Sequence, residues 1–188
     1  CDNNLELYTI YGSEGMFYKS LNRVFLKETF NDTLFQVDAK NMEPLAVFNL
    51  GRFGHSYEMK NFFTEEERFN HAIVGDISYM DGKILFSLYL QKRTFHGVYD
   101  SKLNTTMISQ VNRDKKVNGF TNDVDGFVDF RPSYLEGADQ LVGKTEAEEV
   151  YEWLQNNPDK ISTLPKKLQD FKDIQPEDNP IVMIVKLK

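Results

Sequence analysis

The chain has 188 residues, and its 22 Lys+Arg against 29 Asp+Glu leave a formal charge of −7, which excludes the basic face a nucleic-acid binder needs to neutralise phosphates. Hydrophobic residues at 40% and charged residues at 27% are those of a chain with a core, not of a disordered one. With a mean hydropathy of −0.50, its longest aliphatic run, Ile181 to Val185, is far too short to span a bilayer.

The one cysteine, Cys1, excludes an internal disulfide framework and a Cys-based zinc cluster. Two readings of it stand: the acylated first residue of a mature lipoprotein, or the start of a fragment. Leu5 to Tyr11 then alternates as a strand does and stops at Gly12-Ser13-Glu14-Gly15. Met16–Leu21, Arg23–Phe30, Thr33–Asp38 and Pro44–Leu50 follow as a four-stranded meander over roughly residues 15–51, because period-two patterns broken by Asn and Asp mark strands and turns. The stretch 52–70 is polar, and Thr64-Glu65-Glu66-Glu67 has the form of a helix capping box. Ala72–Met80 meets Lys83–Gln91 across Asp81-Gly82, a two-residue hairpin turn whose glycine accepts positive φ. Thr94–Tyr99 pairs with Thr105–Val111.

A third unit opens near Val117, passes through Asn122-Asp123-Val124-Asp125-Gly126, and continues as a strand over Phe127–Tyr134. Thr145-Glu146-Ala147-Glu148 reads as a second capping box before a helix carrying Val150, Trp153 and Leu154 on one face. Asn156-Asn157-Pro158 ends that helix. Leu164, Leu168 and Phe171 predict another, with Pro165 in its first turn, and Ile181–Leu187 closes the chain as a strand.

Two hairpins, 31–48 and 95–108, look alike: each sets an aromatic shortly before an Asp, then a polar turn and a second strand. Superposing Phe35 on Tyr99 gives a spacing of 64 residues, longer than the roughly 40–50 of a four-stranded propeller blade. The polar insertion at 52–70 accounts for the excess. A β-propeller and a β-sandwich both fit this pattern. The fold class expected is mainly β, with about three propeller-like four-stranded antiparallel blades at about 12–51, 71–116 and 117–188. A helical pair is inserted at 145–174.

Residues 31–50 (NDTLFQVDAKNMEPLAVFNL), the tract VNGFTNDVDGFVDFRP at 117–132 and the ending EDNPIVMIVKLK at 177–188 resemble the six-bladed β-propeller lipoproteins of gut bacteria. The resemblance extends over nearly the whole chain, but only to the C-terminal half of that family. It implies a periplasmic or outer-membrane lipoprotein, a binding or scaffold module of the cell envelope, and supplies no catalytic residues. Three blades leave two uncovered inter-blade faces, so missing blades of the same protein or a second copy are expected to cover them.

Asn122, Asp123, Asp125, Arg131 and His96 are the candidate ligand-binding residues. Asp123 and Asp125, two apart beside Gly126, are the candidate calcium ligands, since calcium prefers oxygen donors. The same residues form an ordinary turn when Asn and Asp bond their own backbone, and no cofactor is otherwise expected. His55, His71 and His96 show no ligand spacing. No G-x-S-x-G elbow is present. The expected function is therefore non-enzymatic recognition of a saccharide, peptide or protein partner through propeller loops. The alternative is a carboxylate-dependent glycoside hydrolase or lyase, for which no acid pair can be nominated among 29.

Overall fold

Among the described residues, alternating side chains and tight turns produce three mainly antiparallel sheets. A computed structural model describes residues 15–20, 22–54, 70–109, 112, 117–136 and 140–186. Cys1, the strand expected at Leu5–Tyr11, His55 and the capping box at Thr64–Glu67 lie outside the described residues.

The first sheet is the expected meander, β1 (Gly15–Ser20), β2 (Arg23–Glu28), β3 (Thr33–Val37) and β4 (Met42–Val47), hydrogen-bonded in that order. Its register sets Phe17, Leu26 and Phe35 on one face and Tyr18 beside Phe25 on the other. The second sheet holds β5 (Ile73–Met80), β6 (Lys83–Leu90), β7 (Arg93–Asp100) and β8 (Thr105–Ile108). Asp81 and Gly82 turn at φ 43° and 82°, the mirror-image turn that matches strand twist. Gln91 and Lys92 link β6 to β7 at φ 53° and 61°, the same turn without a glycine.

Several boundaries differ from expectation. β9 (Val117–Asn118), expected to open the third unit, pairs in parallel with β7 and belongs to the second sheet. Among the described residues the third sheet has three strands where four were expected: β10 (Pro132–Glu136), β11 (Gln140–Thr145) and β12 (Ile181–Lys186). The strand predicted over 127–134 begins only at Pro132, because the stretch before it is tied to Phe120 by a single bridge at Phe130. β11 carries no clear alternation around Gly143, which hides it in the sequence. Thr145 is the end of β11 and not a helix cap: its Oγ1 donates to Glu149 Oε2 at 3.0 Å. Helix α1 (Ala147–Asn156) starts instead from Glu146 with no side-chain cap. The short helix α2 (Lys166–Gln169) follows Pro165 between two 3-10 turns, Pro158–Thr163 and Asp170–Asp173.

Burial of apolar faces stacks the sheets in chain order. Phe25 and Leu34 of the first meet Val74, Ile84, Phe86 and Leu88 of the second. Leu85 of the second meets Phe130 and Leu141, with Met183 and Val185 against them. Val150 and Leu154 of α1 cover Phe127 and Val128, with Trp153 edge-on to Phe127 at 4.8 Å. β5 lies beside β1 on one side and β10 on the other without a shared ladder. Ser20 Oγ donates to the Tyr79 carbonyl across the first of these seams at 2.6 Å.

Candidate functional site

β5 and β6 pair regularly except between Gly75 and Ser78, where the register shifts. A glycine inside a strand often marks such a break. There Asp76 adopts φ 47°, a left-handed conformation that Asp tolerates better than most residues. The break re-aims its side chain, leaving Asp76 exposed. Ser87 Oγ donates to Asp76 Oδ2 at 2.7 Å. Tyr18 Oη and Ser87 Oγ both stand 3.6 Å from where a Cβ on Gly75 would lie, so hydroxyls from β1 and β6 converge on the break.

His96 stands opposite Ser87 in the β6–β7 register. Its backbone is fixed by Ser109, whose Oγ accepts the His96 N–H at 3.0 Å and whose N–H reaches the His96 carbonyl at 2.8 Å. The residue is 9% exposed, and its buried Nε2 meets no hydrogen-bond partner. A cavity of about 10 Å³ is lined by Asp76, Ser87, His96, Ser133 and Tyr134, room for roughly one water-sized group.

Burial pushes the His96 imidazole below its usual range; the Arg131 cation adds to this and the Asp76 carboxylate opposes it. The ring is therefore neutral at pH 7, with one nitrogen donating and one accepting. Burial raises the Tyr18 phenol, the Asp76 backbone N–H working against the shift, so that hydroxyl stays protonated. The site thus offers one carboxylate, two hydroxyls and a neutral imidazole. It suits a ligand presenting hydroxyl, amide or ammonium donors.

The sequence candidates divide around it. His96 belongs to the site. Arg131 lies near enough to act on His96, but its Nη2 is paired with Glu149 Oε1 on α1. Its Nε is buried without a partner. Asn122 and Asp125 close a turn on themselves: Asn122 Nδ2 donates to Asp125 Oδ1 at 2.6 Å, and Oδ1 also accepts the Phe127 N–H at 3.0 Å. Gly126 takes φ 68° there and Asp123 is exposed. Among the described residues, no three His, Cys, Asp or Glu side chains gather to hold a metal. His71 Nδ1 lies 3.0 Å from the Gly54 carbonyl. Tyr18, Asp76 and Ser87 escaped the sequence reading, and the Gly75-Asp76 pair inside β5 was the cue. A larger apolar cleft of about 420 Å³, lined by Leu45, Phe48, Leu88, Tyr99 and Ile108 among others, sits apart from these polar groups.

Comparison with known proteins gives the family. The chain belongs to DUF4934, a domain of unknown function, whose model matches residues 2–186. No curated protein matches this DUF4934 chain. Its fold is similar to the crystal structure of a "Putative exported protein" from Bacteroides fragilis NCTC 9343, with a TM-score of 0.58 and 17% identity. That alignment covers 92% of this chain and 49% of the other, so the chain spans about half the length of the solved structure. No helix among the described residues is long and apolar enough to cross a membrane.

Proposed function

We propose that this chain is a non-enzymatic binding module of the cell envelope, built as three blades of a six-bladed propeller. In this reading β1, β5 and β10 are the innermost strands, which accounts for their lying side by side without a ladder. Small sheets stacked face to face in chain order follow the same logic, since each blade covers its neighbour. The name of the Bacteroides fragilis neighbour supports an extracytoplasmic location.

The observation that carries the function is the convergence of Tyr18, Asp76, Ser87 and His96 from four strands onto the β5 break. The cavity takes about one water-sized group, so this constellation engages a single hydroxyl or amide of a saccharide or peptide that lies outside it against the exposed Asp76 carboxylate. Titration against a glycan and peptide panel, with and without calcium and beside hydrolysis assays, tests it. Saturable binding without turnover is expected. Turnover of any bound ligand overturns the non-enzymatic reading.

A further inference from the structure

The Asp76 carboxylate stands without a cation. No ion pair among the described residues includes it, and its Oδ2 takes the Ser87 hydroxyl while Oδ1 is left to accept. The hydrogens nearby are already committed. Ser87 gives its own to Asp76, and Tyr18 Oη, facing the Asp76 N–H, turns its own to Met16 Sδ at 3.4 Å. His96 Nε2 is buried with no partner, on a residue more than nine-tenths buried. A buried donor left unmet is rarer than a buried acceptor, so Nε2 carries the lone pair of the neutral ring and Nδ1 the hydrogen. Asp76, Ser87 and His96 line one cavity, and what they present to it is lone pairs.

We propose that the β5 break receives the ammonium of a lysine side chain from a peptide or protein partner, held between the Asp76 carboxylate and His96 Nε2. This rests on the reading of the break as a binding site, and narrows the donors it suits to one. A hydroxyl or a backbone amide brings a single hydrogen. An ammonium brings three, together with the positive charge that Asp76 lacks.

Size and surroundings select lysine among cations. A cavity of about 10 Å³ holds about one water-sized group, which fits an ammonium and excludes the planar, forked guanidinium of arginine. Its other walls include Leu85, Phe86, Pro132, Tyr134 and Leu141, apolar surface along which a lysine lays its methylene stem while its charged head reaches the polar groups. The ammonium of an amino sugar sits on a ring, and the hydroxyls beside it do not fit a cavity for one group. Arg131, whose charge reaches His96, is paired with Glu149 and is absent from the cavity lining. A formal charge of −7 on the chain favours the approach of a cationic partner.

NMR titration of the full chain with the peptide acetyl-GGKGG-amide, charged only at its lysine, tests the proposal. Saturable shifts are expected at the Gly75, Asp76 and Ser87 amides and at His96 Nε2, whose nitrogen resonance reports a hydrogen bond accepted there. The same peptide carrying arginine, acetyl-lysine or norleucine in place of lysine is expected to bind at least about tenfold more weakly, as loss of a charge-assisted hydrogen bond implies. Asp76→Asn keeps an acceptor for Ser87 and a residue that tolerates positive φ, so the fold is retained. Its affinity for the lysine peptide should fall at least about tenfold. Equal binding of the arginine or norleucine peptide, unchanged affinity in Asp76→Asn, a silent His96 ring, or tighter binding of methyl glucosaminide overturns the lysine assignment. A neutral glycan or peptide that binds through Asp76 where the lysine peptide does not overturns it too, and leaves the binding-module reading standing. A chain that binds none of these ligands overturns both.

Discussion

The ring of Phe86 fills the space where a side chain on Gly97, its cross-strand partner, would stand. A Cβ at position 97 would lie nearer than 3.0 Å to three of its ring atoms. Phe86 cannot retreat, because Phe48 packs edge-on against it at 5.1 Å and Val74, Ile84 and Leu88 surround it in the same core. Gly97→Ala is therefore expected to destabilise the fold by about 1–3 kcal/mol, the usual cost of overpacking a core. Urea denaturation of the two proteins measures it. An unchanged midpoint would mean that the first and second sheets are not packed in this way.

Lys27 gives the fold a dependence on alkaline pH. Its side chain points into the core, 3% exposed, and donates to the Glu28 and Asn31 carbonyls at 2.7 and 2.6 Å. Burial pushes its pKa from 10.5 down to about 8, against the opposing charges of Asp32 and Glu28. Between those values the unfolded chain holds the proton and the folded chain does not, so raising pH favours folding. Stability is expected to climb from pH 8 toward pH 10, by up to about 1.4 kcal/mol per unit. Beyond that, the raised Tyr18 and Lys102 work the other way, since their folded forms keep protons that the unfolded chain has lost. Denaturation at pH 7.5 and 9.5 checks the sign, and Lys27→Met should abolish the slope.

The β7–β8 turn depends on one carboxylate oxygen. Asp100 Oδ1 accepts the N–H groups of Lys102 and Leu103 at 2.9 and 3.2 Å, while Oδ2 lies 3.2 Å from Lys83 Nζ. The Leu103 N–H, more than the other partners, holds the carboxyl below its usual range. Its contribution is therefore present above the unfolded pKa and lost as pH falls through the folded one. Asp100→Asn keeps an acceptor for the turn and should lower the melting temperature less than Asp100→Ala, which leaves both N–H groups unmet. Equal losses would assign the effect to the ion pair with Lys83.

Asp38 makes the same pair of bonds in the first sheet, its Oδ1 accepting from Lys40 and Asn41 at 2.8 Å each. The two hairpins that look alike in sequence thus share a turn device, but Asp38 stands where Asp100 stands. Val37, not Phe35, therefore falls against Tyr99. Asp, Gly and Asn at turns leave marks in a sequence because their chemistry is local, which is why the meander and the Asp81-Gly82 hairpin were legible. β11 and the allegiance of β9 were not, since strand pairing is decided by distant partners. The candidate site failed for the same reason. His96 could be named from its residue type, but Tyr18, Asp76 and Ser87 come from three strands, and only the register brings them together. Asn122 and Asp125 looked more like a site because they are neighbours, and being neighbours let them satisfy each other.

The most direct test of the account is Asp76→Gly, measured for binding to whichever glycan or peptide the panel identifies and for thermal stability. Glycine relieves the φ of 47° while removing the Ser87 hydrogen bond, opposing effects of about 1 kcal/mol each. The melting temperature should therefore stay nearly unchanged while calorimetric titration shows binding lost. Full-strength binding by Asp76→Gly would contradict the assignment of the site to the β5 break.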